Sequence, residues 1–220
     1  MNQLLHVMAV SVMICGSGLL LHIIELSDNN RLKKYNKRRS FSTTPEPRGG
    51  SAPSLSGDPV FVIQKHDATS LHYDVRLEVD GVLKSWAVPK GPSTDPRERR
   101  LAIPTGDHPI VYADFEGVIP EGEYGAGPVL IWDKGTFENI KQEHGDMVPL
   151  SQAYDNGEIL VFLHGKKLRG GYAFIRTDDE RWLLIKTDDE HADARRNPTN
   201  TEPKSVLSGQ TIEEITKKDA

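Results

Sequence analysis

The chain has 220 residues, a formal net charge of -5 from 27 Lys+Arg and 32 Asp+Glu, and one cysteine. That length suits one ordinary domain with extensions, not a two-domain enzyme with a separate nucleotide-binding half. The lone Cys15 excludes an internal disulfide framework and any cysteine-based zinc cluster, and the mild acidity argues against a protein that coats nucleic acid nonspecifically.

Residues 1–24 contain no Asp, Glu, Lys or Arg and run through Leu4, Val7, Val10, Ile14, Leu19 and Ile23. Residues 1–28 therefore read either as a membrane anchor, being long enough to span a bilayer, or as the product of a start codon placed too far upstream. A cleaved signal peptide fits poorly, because no Lys or Arg precedes the apolar run. Arg31, Lys33, Lys34, Lys37, Arg38 and Arg39 follow it, which under the positive-inside rule keeps the rest of the chain in the cytoplasm. Residues 29–58 read as a basic arm, helical at most over 32–39, and then a Ser/Thr/Pro/Gly linker over 41–57. The charge run is either a solvated or membrane-adjacent segment or a contact to a phosphate backbone.

From 59 to 191 the texture is that of short β-strands, expected at 60–66, 71–79, 82–88, 101–105, 129–132, 136–140, 159–163, 172–177 and 182–187. Asp80-Gly81 reads as a two-residue hairpin turn, and Asp133-Lys134-Gly135 and His164-Gly165 read as further breaks. With no alternating helices, the pattern favours a mainly β fold, a small antiparallel β-barrel or sandwich, over a βαβ sheet. The tail at 192–220 is polar except for 205–215, which reads as a short docking helix.

The segment 64–78 carries the most chemistry. Strand alternation projects His72, Asp74, Arg76 and Glu78 to one face and Tyr73, Val75 and Leu77 to the other, and His66 lies just before, across the turn-like 67–70. His66, His72 and Asp74 make an N,N,O ligand set that leaves coordination sites open on a catalytic divalent ion. Arg76 would point beside that ion, where its planar fork can hold phosphate oxygens, so the pair implies a phosphate ester as substrate. A second cluster holds Arg97, Arg99, Arg100, Asp107, His108 and Tyr112. His108 reads either as a hydrogen-bonded loop histidine or as a group that protonates a leaving oxygen or holds a phosphate, with Tyr112 as a nearby donor and Lys90 and Arg100 adding positive charge. The glycine-rich stretch 117–127 lacks the Gly-Lys-Ser/Thr ending of a phosphate loop and reads as a tight turn feeding the next strand.

Taken together, FVIQKHDATSLHYDVRLE at 61–78, LKSWAVPKGPS at 83–93, DHP at 107–109, YADFEGVIPEG at 112–122, YGAG at 124–127 and WLLIK at 182–186 resemble the 3'-phosphoesterase domain of bacterial DNA ligase D and its stand-alone relatives. The likeness extends to TPEP at 44–47 and SVLSG at 205–209. It implies a small β-barrel that binds manganese and trims the 3' ends of DNA or of primers ending in ribonucleotides: a terminal ribonucleoside is removed to leave a 3'-phosphate, which is then hydrolysed to a hydroxyl. It implies that His66, His72 and Asp74 bind the metal, that Arg76 and His108 contact the scissile phosphate and that Tyr112 supports the site. Gln64, Lys90 and Arg100 match residues implicated around the phosphate. A stand-alone enzyme would meet its ligase, and other end-joining factors, as separate chains. Ser40 and Gly106 stand where the family usually has acidic residues, which bears on the balance between nuclease and phosphatase steps.

Two other readings are open at this level. His72, Asp74 and His108 also spell the two-histidine, one-carboxylate triad of a non-haem iron oxygenase, which leaves His66 and the surplus of cations unexplained. A noncatalytic nucleic-acid adaptor would use the basic arm with Trp86 and Trp132 as stacking platforms.

Overall fold

A computed structural model of the chain describes residues 31–50 and 57–218. The apolar segment 1–28 lies outside the described residues, and no helix among them is long and apolar enough to cross a membrane.

The first three strands follow the hydrophobic pattern closely: β1 (Val60–Asp67), β2 (Leu71–Val79) and β3 (Val82–Val88). Asp80 and Gly81 both adopt positive φ, 48° and 80°, and close the β2–β3 hairpin with Val79 opposite Val82. β4 (Arg99–Pro104) is followed by the two-residue β5 (His108–Pro109), a 3-10 turn at Ile110–Asp114, β6 (Gly117–Ile119) and the long β7 (Gly127–Asn139). The small β8 (Gln142–Glu143) and β9 (Asp146–Met147) form a separate hairpin. The chain then runs through β10 (Glu158–Gly165), β11 (Arg169–Asp178) and β12 (Arg181–Lys186). Eight strands in the order β1-β2-β3-β4-β12-β11-β10-β7, with β7 pairing back onto β1, close an antiparallel barrel.

β7 corrects the expectation of two strands broken at Asp133-Lys134-Gly135. Those residues stay in the strand, where β7 shifts register against β1 between Ile63 and Gln64. Asp133 accepts backbone hydrogen bonds from Lys134, Lys166, Lys167 and Leu168, so its turn-forming side chain organises the neighbouring β10–β11 connection instead of a break in β7. Gly135 is needed for close approach: a Cβ there would lie 2.1 Å from the His164 carbonyl oxygen.

Two apolar clusters separate the two sides of the barrel wall. Inside, Phe61, Ile63, Tyr73, Val75, Leu77, Trp86, Trp132 and Phe174 pack together, with Trp86 4.8 Å from Phe174 and 5.4 Å from Trp182 between ring centroids. Outside, Val62, Leu83, Tyr112 and Ile131 are covered by Leu32 and Tyr35, the latter on the short helix α1 (Lys33–Lys37). The stretch expected as a linker also docks: Thr44 and Glu46 are buried. Of the remaining helices, α2 (Leu150–Asn156), α3 (Pro198–Thr201) and α4 (Ile212–Lys218), the last buries Ile212 and Ile215 against the inner cluster. Within the stretch expected as helix, 205–215, helix thus starts only at Ile212, because Ser205 Oγ accepts the N–H groups of Leu207 and Ser208 and holds a turn there.

Candidate active site

Since Tyr73, Val75 and Leu77 fill the barrel interior, the alternate residues of β2 point outward, beneath the arm that carries α1. The β1–β2 register sets His66 opposite His72, with ring centroids 4.8 Å apart, and sets Asp74 opposite Gln64. His66 Nδ1 lies 3.4 Å from Asp74 Oδ2, and His72 Nε2 lies 3.7 Å from Asp74 Oδ1. One ligand atom from each of the three residues lies within 4.8 Å of the others.

The outer hydrogen bonds assign the tautomers. The Gly125 carbonyl, 2.8 Å from His66 Nε2, and the Ser70 carbonyl, 2.8 Å from His72 Nδ1, can only accept. Each places the imidazole proton on the far nitrogen and turns the other lone pair toward Asp74, the arrangement in which histidines bind metals. Burial opposes the charge on Asp74, yet the Arg76 guanidinium beside it holds its carboxyl well below the usual carboxylate range. Two neutral imidazole lone pairs and one ionised carboxylate fit a divalent ion of borderline hardness such as manganese, zinc or iron.

Beside this set lies a buried cationic corner. Arg76 donates from Nη2 to Asp74 Oδ2 at 2.9 Å and from Nε to Gln64 Oε1 at 2.8 Å, and its guanidinium lies 5.0 Å from the centre of the Tyr112 ring. Arg39 comes from the arm and pairs with Glu46 at 2.9 Å, both side chains being almost completely buried. The Gly106 carbonyl, 2.8 Å from His108 Nδ1, puts the imidazole proton there and leaves Nε2 facing Arg39 Nη2 at 3.4 Å. Arg76 Nη1 is also 2.9 Å from Nδ1, so donors crowd the corner. Burial, reinforced by the Arg76 and Arg39 charges, pushes the His108 pKa well below 6.5, and the imidazole is neutral at neutral pH. Arg76 and Arg39 each face one carboxylate, Asp74 and Glu46, but Lys34 and Arg38 also line the cavity, and this added positive charge together with the N–H donors suits an anion.

The cavity these groups line has a volume of about 330 Å³ and brings together His66, His72, Asp74, Arg76, His108 and Tyr112. Three expected phosphate contacts are placed differently. Gln64 is fully buried behind Arg76, its amide spent on the Tyr112 and Phe115 carbonyls and on Arg76, so it positions the guanidinium. Lys90, in the turn after β3, and Arg100, on β4, line a separate groove. Tyr112 gives its hydroxyl hydrogen to Glu46 Oε1 at 2.8 Å, and burial raises its pKa far above 10, so it acts as a support. Residue pattern alone does not single out Arg39 and Glu46; their signal lies in the basic run and in the TPEP stretch.

The geometry also bears on the two other readings. His108 faces the guanidinium groups and is not part of the ligand cluster, so the oxygenase triad is not assembled. Trp86 and Trp132 are fully buried inside the barrel and present no stacking surface. Of the two departures, Gly106 lines the cavity with open space where a side chain would stand, and the Ser40 N–H donates to Glu123 across the cavity mouth at 3.3 Å.

Residues 64–176 match the family model described as the DNA Ligase D 3'-phosphoesterase domain. The chain is 43% identical over 188 residues to the multifunctional non-homologous end joining protein LigD of Pseudomonas aeruginosa, which covers 82% of this chain and 22% of that protein. It is 49% identical over 154 residues to the LigD protein of Mycobacterium tuberculosis, covering 70% of this chain and 19% of the relative, and 46% identical over 166 residues to that of Mycolicibacterium smegmatis, covering 73% and 21%. The chain thus spans about a fifth of the length of these relatives. With the triad, the cationic corner and the barrel all in place, the chain belongs to the DNA ligase D 3'-phosphoesterase domain family.

Proposed function

We propose that the protein is a manganese-dependent 3'-phosphoesterase that removes 3'-terminal ribonucleosides, and then the 3'-phosphate left behind, from DNA or primer ends. The observation that carries this reading is the abutment of the His66, His72, Asp74 set with two buried guanidinium groups in one cavity. When bound, the divalent ion supplies Lewis acidity and lowers the pKa of a coordinated water. Arg76, fixed by Gln64 and Asp74, orients the phosphate and offsets its charge as the transition state forms. Arg39 adds a second positive charge from above. His108 enters neutral, with its Nδ1 proton held by the Gly106 carbonyl; a bound phosphate dianion offsets the two guanidinium charges and raises the affinity of Nε2 for a proton taken from solvent, which it can then pass to a leaving oxygen.

The product would be a 3'-hydroxyl ready for ligation, and we assign a DNA ligase and other end-joining factors as partners acting in the cytoplasm. A primer with a single 3'-ribonucleotide, incubated with manganese, should be shortened and then lose its 3'-phosphate, and His72→Ala should abolish both steps. An intact primer, or full turnover by His72→Ala, contradicts the proposal.

A further inference from the structure

The arm and the 3-10 turn cover the apolar residues outside β1, β3 and β7. The opposite wall of the barrel, built from β4, β12, β11 and β10, carries an apolar face that belongs to no such cluster. Its inward residues, among them Ala102, Leu184, Phe174 and Val161, fill the core, so the alternate residues Leu101, Ile103, Leu183, Ile185, Ile175 and Leu160 point outward. None of these six belongs to either apolar cluster, and Leu101 and Ile103 are 41% and 40% exposed. Pairing sets Leu101 beside Leu183 and Leu183 beside Ile175, and it sets Ile185 beside Ala173, which in turn pairs with Leu160. The six therefore form one continuous patch. The outer face of an antiparallel sheet ordinarily turns polar at these positions, and a contiguous apolar patch marks a contact with another molecule.

Charges at the rim select the occupant. At one end a groove of about 460 Å³ separates Leu101, Ile103 and Pro104 from the β11–β12 turn, where Asp179 and Glu180 stand exposed. Arg181 lines this groove too but is paired with Asp178 at 2.7 Å, and among the described residues neither Asp179 nor Glu180 has an ion-pair partner. At the other end Arg99 lies opposite Ile185, exposed and likewise without an ion-pair partner among the described residues. Ile185 follows Glu180 by five residues, so the two ends are about 17 Å apart at the rise of a strand. The wall thus has a negative end, an apolar middle and a positive end. We propose that it is the interface of a twofold-symmetric dimer of this chain. An axis normal to the wall near Leu101 and Leu183 lays the apolar middle of one copy on that of the other and brings Arg99 to Asp179 and Glu180 of the partner subunit. Because an isologous contact repeats every pairing, both ends are matched at once and at the same spacing. In the ring of strands β12 and β11 lie across the barrel from β1 and β2, so the contact leaves the metal set of each copy open.

Sedimentation of the full chain tests the dimer. The wild type should sediment as a species of twice the chain mass. Leu101→Asp/Ile103→Asp should raise the dimer dissociation constant about 100-fold or more, with the β-type circular dichroism unchanged. Arg99→Glu should raise it about tenfold, and adding Asp179→Lys and Glu180→Lys to that variant should recover most of the loss, an exchange that a purely internal role of Arg99 would not permit. A wild-type chain that stays monomeric up to about 0.1 mM overturns the proposal, whether residues 1–28 or a different protein then covers the wall. Association that survives Leu101→Asp/Ile103→Asp places the contact on another surface and overturns it too, as does a charge exchange that recovers nothing.

Discussion

His66 and His72 share a residue type with His108 and lie in the same cavity, yet their protons are arranged for different work. Carbonyls behind His66 and His72 leave lone pairs facing Asp74, whereas His108 turns its proton toward the Gly106 carbonyl and has two guanidinium groups in front. The depressed His108 pKa has a consequence for stability. In the unfolded chain this histidine takes up a proton as pH falls through about 6.5, while the folded protein resists doing so. The unfolded state then binds more protons, so stability is fully present above the unfolded pKa and declines as pH falls below it. Thermal unfolding from pH 8 to pH 5 should show a falling melting temperature, and His108→Gln should flatten that dependence. An equal slope in the variant would assign the effect to other groups.

The elements place these residues through register more than through helix or loop geometry. β1 and β2 form the working hairpin, and β7 fastens its outer edge through a single unbroken strand that also pairs with β10. Gly135 sits where β7 passes from one partner to the other. Gly135→Ala would drive a methyl group into the His164 carbonyl, which must shift the β7–β10 pairing. We expect a loss of about 1–3 kcal/mol, the usual range for overpacking a closely fitted site, read as a lower denaturant midpoint. Because β7 also backs β1, metal affinity measured by titration should weaken in the same variant.

At the scale of the whole molecule, the barrel is a scaffold with its chemistry on the outside, and the N-terminal arm completes the site. Leu32 and Tyr35 bury the outer apolar cluster, and this docking delivers Arg39 to Glu46 and His108. Thr43 and Ser40 close the mouth by bonding to Glu123 on the glycine-rich turn, while Arg38 lies 4.8 Å over the Tyr124 ring. The double variant Leu32→Asp/Tyr35→Asp should keep the β-type circular dichroism of the barrel and expose the arm to limited proteolysis. Its turnover should fall about 100-fold or more, the cost of removing one well-placed charge from a phosphoryl site. Retained turnover with a cleaved arm would show that Arg39 is dispensable.

Residue order alone determined a mainly antiparallel β fold, the two early hairpins and the shared face of His72, Asp74 and Arg76, because period-two alternation and a short turn leave little choice of which side chains share a face; barrel against sandwich was open in the residue pattern, and the resemblance pointed to the barrel. It misjudged Asp133-Lys134-Gly135, whose turn chemistry serves a neighbouring connection, and it could not show that Lys90 and Arg100 line a groove apart from the triad, since charge says nothing about which side of a sheet a residue occupies. Gln64 could be singled out but not understood, since its amide is consumed by carbonyls far along the chain. Only the tertiary structure decided that the candidate site lies on the outer face, that the arm supplies Arg39 and Glu46, and that burial and nearby guanidinium groups lower the His108 pKa. Each of those depends on burial and on charges brought close by barrel closure, quantities that a linear pattern does not contain.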